Sequence, residues 1–173
     1  MKLRLLALCA SLAALAGCRS TSADDPLPPP FDAQEIRSAH PSGTELVFRR
    51  VDADGSSLLQ VMRFVEADAE GVTVEAWLED DQGRALTAPA RSPRTSWAEL
   101  RDHARFDPAR AVRKRVSTSF PSGPFEGWLY TVLGDGGLVE RYYFDDDRPG
   151  PPERFETTRD GERIALMEFV ERR

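Results

Sequence analysis

The sequence predicts a mainly β domain, built as a single curved antiparallel β-sheet or half-barrel meander with one short inserted α-helix at about 97–106. Three observations carry this. Short β-rich runs recur at intervals of about ten residues, as in a meander. The breaks between them hold Asp54-Gly55, Glu70-Gly71, Gln82-Gly83, Gly136-Gly137 and Asp160-Gly161, pairs that tolerate the positive φ of tight hairpins. A helix-start pattern occurs at Ser96-Trp97-Ala98-Glu99, where the Ser and Glu side chains can each satisfy a free backbone group.

In chain order, the expected strands lie near 44–51, 57–67, 71–79, 84–88, 111–119, 125–133, 137–145, 153–159 and 162–171. Alternation is cleanest in the third, where Val72, Val74, Ala76 and Leu78 oppose Thr73, Glu75 and Glu79, the pattern of a sheet with one buried and one wet face. Val112, Val116 and Phe120 share a side, as do Phe125, Leu129 and Leu133. In the last strand Ile164, Leu166 and Val170 oppose Ala165, Met167 and Phe169, so both faces can be covered. The helix presents Trp97, Leu100, Ala104 and Phe106 as an apolar stripe, which must lie on the sheet.

Ahead of this domain the chain changes character. Residues 1–17 have a basic start (Lys2, Arg4), an apolar run from Leu5 to Leu15 and small residues at the end, the make-up of an export signal. The run is about half the roughly 20 residues that cross a bilayer. Leu15-Ala16-Gly17-Cys18 resembles the lipobox of bacterial lipoproteins at every position. The resemblance implies cleavage before Cys18 and acylation of its thiol and new amino group, so that Cys18 is the lipidation site and the protein's partner is a membrane. In the sorting rule of such lipoproteins an Asp after the cysteine means retention in the inner membrane, so the resemblance, with Arg19 there instead, implies the outer membrane facing the periplasm. Residues 18–42, with Pro26-Leu27-Pro28-Pro29-Pro30 at their centre, read as the lipidated Cys and a disordered Pro-rich tether, and 43–173 as the single β domain.

Composition limits the function. Removing Lys2 and Arg4 from the 23 basic residues leaves 21 against 29 acidic ones, a formal charge of −8 rather than −6. Such an acidic chain is a poor ligand for phosphate backbones, and no nucleic acid is expected as partner. The only cysteines are Cys9, in the signal, and Cys18.

His40 and His103 are the only histidines, and no Gly-x-Ser-x-Gly elbow occurs, so no catalytic residue is assigned. Asp52-Ala53-Asp54-Gly55 begins like a calcium loop but has Arg63 where the closing Glu belongs, and Asp145-Asp146-Asp147 reads as a solvated strand end. No metal and no cofactor are expected. Arg110, Arg113, Lys114 and Arg115 form the only dense basic run, yet strand alternation puts Lys114 on the face opposite Arg113 and Arg115.

The aromatic runs Phe125-Glu126-Gly127-Trp128-Leu129-Tyr130 and Tyr142-Tyr143-Phe144 fall on neighbouring strands. Trp128, Tyr130 and Tyr143 are expected to cluster there, and with Trp97 they form the candidate ligand or partner face. The order Gly127-Trp128-Leu129-Tyr130, Arg141-Tyr142-Tyr143-Phe144, Pro149-Gly150-Pro151-Pro152 and a final hairpin is similar to small bacterial envelope proteins on a curved antiparallel sheet. More loosely it is similar to half-barrel carriers of lipoproteins and glycolipids, a resemblance that implies an apolar cavity and no functional residue. The leading expectation is a non-enzymatic envelope lipoprotein that binds a protein or an apolar ligand. The alternatives are an envelope enzyme using Asp145 to Asp147 or Glu126 and Glu140, and a structural or assembly component.

Overall fold

The computed structural model describes residues 25–173. The signal, Cys18 and the start of the tether lie outside the described residues. In chain order the elements are α1 (Ala33–Ala39), β1 (Glu45–Asp52), β2 (Ser57–Val65), β3 (Gly71–Glu79), β4 (Ala90–Arg91), β5 (Thr95–Ser96), α2 (Trp97–Asp102), β6 (Ala111–Phe120), β7 (Gly123–Leu133), β8 (Leu138–Asp145), β9 (Arg154–Arg159) and β10 (Glu162–Arg172). The strands form one antiparallel sheet in the order β4-β3-β2-β1-β10-β9-β8-β7-β6, with β5 also paired to β3. The expected mainly β class, an open curved sheet with little helix, is therefore found.

Two meanders make this sheet, β1 to β4 and β6 to β10, and they join where β1 pairs with β10 across a bulge at Val47 and Phe48. The expected strand at 84–88 is absent. There the Asp80 carboxylate accepts from the backbone of Gln82 and Arg84, holding a tight turn, and Ala85 makes only a single bridge to Glu79. Pro89 and Pro93 cannot donate to a ladder, so β3 is edged by two-residue strands instead. The expected helix is found but ends at Asp102, four residues early. Asp107-Pro108 follows closely, and the residue before a proline is driven from helical geometry.

The main correction concerns the expected tether. Residues 27–42 pack on the sheet instead of standing free. Leu27 donates its backbone N–H to the Phe106 carbonyl at 2.8 Å, and the Tyr130 hydroxyl donates to the Pro28 carbonyl at 2.5 Å. Helix α1 then starts at Asp32, whose side chain accepts from the Glu35 N–H while the Glu35 carboxylate accepts from the Asp32 N–H. Phe31 before the cap and Ile36 in the first turn are both buried, a hydrophobic staple that sets the angle of the helix. The prolines suit this strap as they would a linker, because extended backbone without donors can run across a surface.

The helices cover one face of the sheet. Leu46, Phe48, Phe64, Val72, Tyr130 and Phe144 form the core there with Phe31, Ile36, Trp97 and Ala104. The other face departs from the expected wet surface at β1 to β3, where Val47, Leu59, Val61 and Trp77 make a second apolar cluster. The Trp77 indole donates to Glu79 at 2.8 Å, and Arg63 lies over its ring. At the far end this other face buries Phe125 and Leu129, while Val112 on the edge strand is 66% exposed.

Candidate functional site

An apolar cavity of about 270 Å³ lies between the helices and the sheet. Its floor is Phe64 and Val74 from the first meander and Tyr142 and Phe144 from the second. Strap residue Phe31 and α1 close one side, and α2 with Phe106 closes the other. The two helices contact each other above it. Arg101 and His103 supply the polar rim, with Arg101 held by Asp102 at 2.7 Å. The void exists because short helices of seven and six residues cannot fill the hollow of a curved sheet.

The candidate residues of the sequence divide between three places. Trp97 is 4% exposed, and its indole N–H donates to the Asp68 carbonyl at 2.9 Å, so it is a core residue behind the cavity wall. Trp128 and Tyr130 do share the core face. The Tyr130 ring packs edge-to-face on Phe144, and burial pushes its hydroxyl pKa up to about 12. Tyr143 does not join them. It points to the opposite face, edge-on to Phe120 and Phe125, because adjacent strand residues alternate sides. Its neighbour Tyr142 is the cavity residue, with a hydroxyl raised by burial and then by its hydrogen bond to Glu140 at 2.9 Å.

The acidic residues weighed as catalysts are engaged elsewhere. Asp145 accepts from the Asp147 N–H and from Arg148, and Asp146 forms two hydrogen bonds with Arg115. Asp54 accepts from the Ser56 N–H and hydroxyl, so Asp52-Ala53-Asp54-Gly55 is a hairpin turn. None of these carboxylates lines the cavity.

Sequence reasoning missed Phe31, Ile36 and His40, all read as tether. The signal for the helix was present as Asp32 and Glu35, which have the spacing recognised at Ser96 and Glu99. His40 caps α1, donates from Nδ1 to the Ile36 carbonyl at 3.0 Å, and lies against Phe64. Burial is the main cause that lowers its pKa to about 4, with the Arg172 charge adding to the effect. The unfolded chain binds a proton near pH 6.5 and the native one does not, so stability is expected to fall as pH drops from 6.5 towards 4. The full loss is about 3 kcal/mol for a shift of this size. Urea unfolding across that range checks it, and His40→Gln should remove this part of the slope. An equal slope in both proteins would show that other groups cause it.

The fold and site define a class: an open antiparallel sheet capped on one face by two short helices, with an apolar cavity beneath them. No protein-family model matches the sequence, and no curated protein is significantly similar to it. Among solved structures the chain is similar to a candidate exported protein of Bacteroides fragilis NCTC 9343 with a YmcC-like fold. The two share 9% identity over 87% of this chain and 99% of that one, with a TM-score of 0.45.

Proposed function

We propose that this chain is a lipid-anchored protein of the bacterial cell envelope, held at the outer membrane through Cys18, whose sheet domain binds an apolar ligand in the cavity under α1 and α2. The ligand is a slender apolar group such as one acyl chain. The observation that carries this reading is the cavity: aromatic and aliphatic walls, a volume just below the roughly 300 Å³ at which small-molecule pockets begin, and polar groups only at the rim. The Leu15-Ala16-Gly17-Cys18 motif supports the anchor. None of the carboxylates considered for an enzyme lines the cavity, and Asp145, Asp146 and Glu126 are paired with Arg148 or Arg115, which favours binding over reaction.

The test is titration with N-phenyl-1-naphthylamine, a dye that fluoresces in apolar surroundings. Saturable binding of one dye per chain is expected. Val74→Phe, which adds bulk to the floor, should weaken it by more than about tenfold, equivalent to 1.4 kcal/mol, while circular dichroism stays unchanged. Ala104→Leu on the helix side gives a second filling variant. Absence of a saturable site in the wild type, or unchanged affinity in both folded variants, would rule the reading out.

A further inference from the structure

The two edges of the sheet are finished differently. On one side β4 and β5 pair with β3. On the other, β6 is the last strand, ten residues long, and among the described residues no backbone hydrogen bond leaves its outer side. This bare edge contains Arg113, Lys114 and Arg115 and no acidic residue. Arg115 is matched by Asp146 at 2.5 Å and Glu126 at 3.6 Å. Arg113 and Lys114 form no ion pair among the described residues. The Arg113 guanidinium sits 3.5 Å from the centre of the Trp128 ring, and its buried Nε has no hydrogen-bond partner. Arg113 lies half-buried back over the Trp128 and Tyr130 rings while Lys114 is exposed on the opposite face, so the two cations flank the edge strand from its two sides.

The chain leading to this edge identifies what it meets. Pro28 is fastened to the hydroxyl of Tyr130, and Tyr130 is the cross-strand partner of Arg113. Pro28 lies only ten positions after Cys18, a stretch that spans at most about 36 Å. Taking the anchored reading above, the strap holds the basic edge within one short tether of the lipid headgroups. A second copy pairing along β6 would bring two sets of these cations together, which disfavours it.

We propose that the outer edge of β6 docks on anionic lipid headgroups, with Arg113 and Lys114 pairing to their phosphates and Trp128 backing the Arg113 guanidinium. Docking would orient the anchored domain, and each cation contributes about a fivefold preference for the anionic surface.

The experiment uses the full chain matured in its host and mixed with phosphatidylcholine vesicles, with or without phosphatidylglycerol, carrying a headgroup spin label. Quenching of Trp128 is read as the difference between wild type and Trp128→Phe, and flotation with pure phosphatidylcholine vesicles reports the anchor separately. Quenching should appear only with phosphatidylglycerol and vanish at high salt. The docked-to-undocked ratio should fall about fivefold in Lys114→Gln and about 25-fold when Arg113→Gln is added. Flotation without phosphatidylglycerol-dependent quenching overturns docking and leaves the anchor standing. Such quenching without flotation supports docking and removes the anchor. Loss of quenching on vesicles, with poly-glutamate shifting Trp128 emission instead, overturns the lipid assignment in favour of an acidic protein segment.

Discussion

Gly127→Ala is expected to prevent the domain from folding, or to destabilise it by more than about 4 kcal/mol, the range reserved for a substitution the backbone cannot absorb. Gly127 lies within β7, paired with Val116 on β6 and Asp145 on β8. A methyl group there would collide with the Phe144 carbonyl, and the Asp145 Cα stands close behind at 3.1 Å. Both obstacles are main chain, so relief means separating β7 from β8. That movement would displace Trp128 and Tyr130 from the core face. Gly55→Ala is the control, because its φ of +83° strains any side chain while the space around it is empty. It should cost on the order of 1 kcal/mol, the usual effect of a left-handed residue in an open turn. Urea unfolding followed by circular dichroism compares the two. Equal midpoints for Gly127→Ala and Gly55→Ala would show that the strands part easily and that the close approach matters little.

Trp97→Ala is expected to cost about 3 to 5 kcal/mol, the usual range for removing a buried aromatic side chain. Trp97 begins α2, its capping residue Ser96 accepts from the Glu99 N–H, and its indole bonds to the Asp68 carbonyl in the β2–β3 turn. One residue thus ties the helix to the sheet. Its loss leaves a void and an unpaired carbonyl, and the second adds to the first. Dye affinity per folded molecule should stay within about threefold of wild type, because Trp97 stands behind the cavity wall and a full 1.4 kcal/mol is needed for tenfold. Trp97→Phe should recover more than half of the lost stability. A stable Trp97→Ala protein that no longer binds dye would make Trp97 a ligand contact and the cavity wall differently built.

The parts legible in the sequence were those decided within a few residues. Asp54-Gly55, Gly136-Gly137 and Asp160-Gly161 mark turns because the backbone there needs positive φ, and Gly55, Gly136, Gly137, Asp160 and Gly161 all have it. The box at Ser96 and Glu99 formed as read. The same box at Asp32 and Glu35 was overlooked because neighbouring prolines suggested linker, although local chemistry at a cap operates regardless of the surrounding composition. The cavity was less legible. Tyr142, not Tyr143, faces it, and a register one residue different would exchange them.

The mainly β class, the order of the long strands and the start of α2 are thus determined by the sequence alone, since alternation and turn geometry are short-range properties that each segment satisfies by itself. Tertiary structure alone decided that β1 pairs with β10 and joins the two meanders, a choice that rests on many weak cross-strand contacts between residues over 100 positions apart. It also decided that residues 27–42 become a strap. Their apolar side chains Leu27, Phe31 and Ile36 are too few to fold locally, and they acquire a place only once the sheet supplies Tyr130 and Phe144, and the segment after α2 supplies Phe106, to bury them against. The cavity exists for the same reason: it is the space left where two short helices meet a curved sheet, and no single segment encodes it.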